Sequence, residues 1–157
     1  MADPVPIQIS AQNMDAVQAA LRKYGAEAEK RIARDVTATG LSVLNDIKKR
    51  IQRPPKSGIV YKRGPGQNLS PTHQASREGE APATDTGRLV SSIQFEQKTK
   101  LSAQVYSNLA YAYYLEFGTL NGDEKRMGKR PAWRPAADAG QELLVKRIEK
   151  TLTELSK

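Results

Sequence analysis

The stretch from Asn13 to Arg53, NMDAVQAALRKYGAEAEKRIARDVTATGLSVLNDIKKRIQR, decides the fold class. Val17, Leu21, Tyr24, Ala28, Ile32, Val36, Val43, Leu44, Ile47 and Ile51 recur at spacings of three and four, or sums of them. That is the period of an amphipathic helix with one apolar stripe. Asn13 is placed to cap it, and Asp15 suits the positive end of the helix dipole. Lys48, Lys49, Arg50 and Arg53 crowd the negative end, and Pro54-Pro55 stops the helix. Unbroken, about 40 residues would span roughly 60 Å, against about 40 Å for a whole domain of this size. Either the helix breaks, at Gly25 or Gly40, or its overhang packs on another subunit. A mid-helix glycine costs up to about 1 kcal/mol relative to alanine, which marks both sites as weak points.

Upstream, Pro4 and Pro6 disfavour helix, and Val5, Ile7 and Ile9 alternate with polar residues as a short edge strand would. Downstream, residues 54–87 hold five of the nine prolines and five of the eleven glycines. Ile59, Val60, Tyr61 and Leu69 are their only large apolar residues, too few for a core. This is an arm or loop, either loose or ordered against a neighbouring subunit. A short helix starts after Thr84-Asp85-Thr86-Gly87 and runs through Arg88, Leu89, Val90 and Ile93. The period then changes to two at Ile93 and Phe95, and again at Leu101, Ala103 and Val105, around a polar turn at Lys98-Thr99-Lys100. That pattern is an antiparallel hairpin with one face on the core.

Residues 109–117 hold three of the six tyrosines and form a short helix that Gly118 ends. Residues 120–130 read as a charged loop. Pro131 and Pro135 flank Trp133, the only tryptophan, and Pro135 suits the first position of a last helix. That helix carries Leu144, Ile148, Leu152 and Leu155 on one stripe. The expected fold is α+β: a long or split N-terminal helix, a small antiparallel β-sheet, a short central helix and a C-terminal helix. The 157 residues are read as one domain with the 54–87 arm.

The inventory excludes much chemistry. There is no cysteine, hence no disulfide, thiolate nucleophile or cysteine-bound zinc. His73 is the only histidine and sits in the Pro/Gly-rich arm, better suited to loop contacts than to catalysis. No calcium-loop or H-E-x-x-H pattern occurs, and Gly64-Pro65-Gly66 lacks the lysine of a phosphate loop. No cofactor or metal is expected. No apolar run approaches the roughly 20 residues of a membrane span. The opening Met-Ala-Asp-Pro-Val-Pro has neither the basic nor the apolar region of a secretory signal.

Twenty-five Lys+Arg against seventeen Asp+Glu leave a net charge of +8, without any block of five or six like charges. Lys125, Arg126, Lys129 and Arg130 cluster within the charged loop, as candidate contacts to phosphate or to an acidic partner. A solvated loop tip is the plainer reading. Tyr111, Tyr113, Tyr114 and Phe117, with Trp133, are candidate assembly contacts, since aromatics are favoured at protein interfaces. The five large side chains of 111–117 cannot all turn inward, because successive helical residues point about 100° apart.

Three segments carry a resemblance. The first is Ala75-Ser76-Arg77-Glu78-Gly79-Glu80-Ala81-Pro82 with Asp85-Thr86-Gly87-Arg88-Leu89 and Ser92-Ile93. The second runs from Tyr111-Ala112 to Glu116-Phe117-Gly118-Thr119, and the third is Arg130-Pro131-Ala132-Trp133-Arg134-Pro135-Ala136. Together, over roughly residues 55–140, they resemble the small tailed-phage proteins, coded between head-closure and tail genes, that form the neck or complete the tail. Ser57-Gly58 to Tyr61 is similar to the longer members, and the family usually has Phe where this chain has Trp133. The resemblance implies a virion structural subunit at the neck or the top of the tail, assembled in the host cytoplasm, without catalysis. The partners it implies are copies of the chain in a ring, a head-closure protein, and a tail-terminator or tail-tube protein, with DNA only passing nearby as packaged genome. The rival reading, from charge alone, is a basic nucleic-acid-binding protein.

Overall fold

A computed structural model describes residues 6–12, 14–53, 56–62, 64 and 72–157. In chain order the elements are β1 (Ile7–Ser10), α1 (Asp15–Gln52), β2 (Val60–Lys62), β3 (Thr72–Gln74), α2 (Arg88–Ser91), β4 (Ile93–Thr99), β5 (Ser102–Ser107), α3 (Ala110–Phe117), β6 (Thr119–Asn121), β7 (Glu124–Met127) and α4 (Trp133–Leu155). This is the expected α+β class, with long first and last helices, a short central helix and small antiparallel sheets. The expected cap Asn13 and the stop at Pro54-Pro55 lie outside the described residues.

Of the residues that set the apolar period of α1, Val17, Ala28, Ile32, Val36, Val43, Ile47 and Ile51 are buried, while Leu21, Tyr24 and Leu44 are half-buried and Ala20 joins the buried face. The helix breaks at Gly25, whose φ of 55° and ψ of −131° leave helical space. Only glycine adopts that backbone readily, having no Cβ to clash. About 27 residues follow the break, roughly 40 Å of helix and so no longer than a domain. Gly40 does not break. It stays helical, and a Cβ there would run into the Phe95 ring.

The chain forms two compact units, each discontinuous in sequence. One gathers residues 6–45, 94–106 and 136–157. Its sheet has strand order β1-β5-β4, with β1 as the edge strand its alternation suggested. Ile7 pairs with Val105 and Ile9 with Ala103, and all four are buried. The turn between β4 and β5 falls at Lys100-Leu101, later than the polar triplet suggested. The Gln97 amide closes it by donating to the carbonyls of Thr99 at 2.6 Å and Ser102 at 3.2 Å. Leu101 thus sits in the turn, still buried. On α4, Gly140 lets the helix approach α1, its missing Cβ position being taken by the Val43 side chain. The Thr151 hydroxyl donates to Asp35 at 2.6 Å across the same pair of helices.

The other unit gathers residues 46–93 and 107–135. Its buried apolar residues include Ile47, Ile51, Leu89, Ile93, Ala112, Ala132 and Trp133. The described part of the Pro/Gly-rich arm carries the two-stranded ribbon β2–β3, with Tyr61 opposite His73. Ile59, Val60 and Tyr61 on it are exposed. The arm's base is tied down. Lys56 Nζ donates to the carbonyls of Arg50 and Ala81 at 3.0 and 2.9 Å. The Glu80 carboxylate accepts the Ser57 hydroxyl and the N–H groups of Ser57 and Arg77.

Residues 120–130 are not simply the charged loop that their composition suggested. β6 and β7 make a hairpin across Gly122-Asp123, with Asn121 opposite Glu124. Gly122 has a φ of 61°, and no other residue of the turn has a positive φ. That fits the hairpin turn with glycine first, and Asn-Gly-Asp is its chemistry. Neither ribbon carries an alternating apolar face, so composition alone gave no sign of strands there.

Candidate functional site

α3 is the short apolar helix that the sequence placed at 109–117, ended by Gly118 with a φ of 77°. It buries Ala112 and Glu116 and turns its rings out. Tyr111, Tyr113, Tyr114 and Phe117 are 39, 38, 43 and 50 % exposed. Tyr113 lies centrally: its ring centroid is 4.7 Å from that of Phe117 and 6.0 Å, edge-on, from that of Tyr114. These rings line a surface groove of about 580 Å³ that continues over Leu120 and Met127 of the β6–β7 hairpin. Leu120 adds an apolar side chain that is 70 % exposed. Apolar surface of this kind on a charged chain makes the groove the candidate contact site.

The fifth aromatic candidate behaves differently. Trp133 is 1 % exposed, inside its own unit. Its indole N–H has no hydrogen-bond partner among the described residues. Tyr113, Tyr114 and Phe117 therefore share one outward surface, Tyr111 is exposed beside a separate depression lined by His73, Thr86 and Arg88, and Trp133 is buried.

The start of α4 has an organiser which the sequence reading did not single out. Glu116 is buried, and its carboxylate accepts three backbone N–H groups at the start of α4. Oε2 takes Ala132 at 2.8 Å and Trp133 at 3.0 Å, and Oε1 takes Arg134 at 2.8 Å. A helix start leaves its first N–H groups without partners, and it favours negative charge. The next residue, Pro135, has no N–H to satisfy. α4 begins two residues before the position expected for Pro135, and Glu116 is the reason: it caps 132, 133 and 134 together. Glu116 is the only charged residue from Ser107 to Gly122. A lone carboxylate in an apolar helix was the available sign.

Further bonds draw the remaining motif segments into the same place. The Arg130 N–H donates to the Leu115 carbonyl at 2.7 Å, and its Nε donates to the Ser76 carbonyl at 3.2 Å. The Gly79 N–H donates to the Lys129 carbonyl at 2.8 Å. Segments around 75–80, 111–119 and 128–136 are thus one bonded cluster behind the ring face.

The basic candidates divide. Arg130 is half-buried and spends its guanidinium on the carbonyls of Ser76 and Gly128. Lys125 pairs with Glu78. Arg126 and Lys129 are exposed, with no ion pair among the described residues. Lys125 and Lys129 stand at the rim of the aromatic groove. His73 lies on β3 with Nδ1 3.7 Å from Asp85. Among the described residues no group of three or more His, Cys, Asp or Glu could hold a metal ion. Among them, too, no helix is long and apolar enough to cross a membrane.

One family model, described as bacteriophage HK97-gp10, putative tail-component, matches residues 15–118, about two thirds of the chain. The match runs from the first residue of α1 to the glycine that ends α3, and so includes the aromatic face. No curated protein matches the chain, and no solved structure does.

Proposed function

Because this chain belongs to the HK97-gp10-like family of bacteriophage tail components, we propose that it is a neck or tail-completion subunit which assembles into a ring through the aromatic face of α3. The observation that carries the reading is that face: Tyr113, Tyr114 and Phe117, exposed together in one groove on a short helix whose Glu116 caps the start of α4. Tyrosine buries area while keeping a polar tip, so such a face stays soluble before assembly and desolvates readily on contact. Copies of the chain are the first partners. Head-closure and tail-terminator or tail-tube proteins take the surfaces left over. The virion is where such a subunit resides.

The nucleic-acid reading is weaker. Two of its four cations, Lys125 and Arg130, already serve internal contacts. Phosphate binding weakens steeply with salt, so a DNA titration at two salt concentrations tests it directly.

The assembly reading is tested with Tyr113→Ser/Tyr114→Ser in the full chain. Circular dichroism is expected to match wild type, while the mass in solution falls to that of the protomer and tails fail to join heads. Normal mass and normal particle yield with both substitutions present would sink it.

A further inference from the structure

We infer that the groove beside α3 receives the outer stripe of α4 from a second copy of the chain. The inference rests on the assembly reading above and names the opposing surface. Asp138, Glu142, Val145 and Glu149 are exposed and follow one another at four, three and four residues, so they share one face of α4. Together with Lys146 they line one shallow surface depression. In a chain of net charge +8 this stripe runs against the trend, with three acids to one base. Glu142 and Glu149 carry no ion pair among the described residues. Val145 puts one exposed apolar side chain at the middle of the stripe.

The groove is the complement. Its floor is apolar, made by Tyr113, Tyr114, Phe117 and Leu120, and its rim carries the Lys125–Glu78 pair and Lys129, which has no ion pair among the described residues and leaves the groove with a positive excess. A helix that lays a stripe of i, i+4, i+7 side chains into a groove is a recurrent mode of recognition. Opposite charges at the rim fix its register and speed the encounter. The exposed ribbon residues Ile59 and Val60 are apolar too, but Lys62 beside them would bring like charge to the lysines of the rim. Groove and stripe are different surfaces of one chain. Each bound copy therefore keeps one of each free, and the assembly grows until it closes. One apolar anchor and a few rim ion pairs make each contact weak and salt-sensitive, with closure supplying the rest.

The test uses two charge-reversed full-length chains, Lys125→Glu/Lys129→Glu and Glu142→Lys/Glu149→Lys, sized by light scattering and native mass spectrometry at low salt. Each alone should need at least about tenfold more protein than wild type to assemble. An equimolar mixture should recover wild-type assembly, because each reversed groove then meets a reversed stripe. Circular dichroism checks that both chains are folded. If both variants assemble like wild type, or if the mixture assembles no better than its parts, the inference is overturned. Should Tyr113→Ser/Tyr114→Ser still block assembly in that case, the aromatic face stands and only the α4 contact falls. A wild-type chain that stays monomeric to millimolar concentration would overturn both.

Discussion

Glu116 fixes Trp133 by its backbone: Oε2 accepts the Trp133 N–H at 3.0 Å, and the same carboxylate holds Ala132 and Arg134. Every N–H that α4 leaves unpaired at its start is thereby satisfied by one side chain from α3. Glu116→Ala strands three donors, those of Ala132 and Trp133 buried and that of Arg134 partly so. At about 1 kcal/mol net for each bond, the loss should be roughly 3 kcal/mol, seen as a lowered midpoint in urea. Glu116→Gln keeps one oxygen but turns an NH2 group toward a backbone N–H, so it should fall between wild type and alanine. An alanine variant as stable as wild type would refute the capping role.

Trp133 gives a paired comparison. Removing the indole from a site with 1 % exposure opens a cavity, and Trp133→Ala should cost about 3–5 kcal/mol. Trp133→Phe removes less volume and also removes a buried N–H that has no partner among the described residues. An unsatisfied buried donor costs about 1–3 kcal/mol, which offsets the smaller cavity. The phenylalanine variant should therefore lie within about 1 kcal/mol of wild type in the same unfolding experiment.

How far the sequence carries the fold depends on where each partner sits. The stripe of α1, the alternation of Ile7 and Ile9, and the stop at Gly118 follow from local period and local backbone chemistry, and all are readable. The cap on α4 is not, because its donor residues and Glu116 stand 16 to 18 residues apart. The β6–β7 hairpin was half readable: Asn121-Gly122-Asp123 is a hairpin turn, but the strands beside it have no apolar alternation. The ring face was readable by geometry alone, since α3 is too short to hide five large side chains. Trp133 shows the converse. Its size and its flanking prolines suit a contact or a core equally, and only the folded chain puts it inside.

The two glycines of α1 separate backbone strain from packing. Gly25→Ala places a Cβ in open space but on a φ of 55° and ψ of −131°, which side-chain-bearing residues scarcely adopt. It should destabilise by more than about 1 kcal/mol or straighten the helix, which shows as altered helix content and hydrodynamic radius. Gly40→Ala keeps helical dihedrals and gains up to about 1 kcal/mol of helix propensity, but drives its Cβ into Phe95. Overpacking of about 1–3 kcal/mol should win. Gly40→Ala combined with Phe95→Leu should recover part of the loss, whereas Gly25→Ala should gain nothing from the same partner.

Glu80 makes the clasp at the base of the arm sensitive to acid. The Ser57 hydroxyl bond and the N–H groups of Arg77 and Ser57 hold its carboxyl at about 2, below the ordinary value of 4.5. The folded chain therefore binds fewer protons at Glu80 than the unfolded chain does between those two values, and the clasp gains strength as pH rises through that window. Its contribution is complete above about 4.5 and is lost as pH falls through about 2. The carboxyl carbon resonance of Glu80 should titrate near the lower value, and the amide protons of Ser57 and Arg77 should exchange faster as it does. Glu80→Gln cannot titrate and offers one oxygen in place of two, so those amides should exchange faster at neutral pH and lose this acid dependence. Protection that rises as pH falls from 4.5 to 2 would contradict the clasp, because no protonated carboxyl can accept these three donors as well as the carboxylate does.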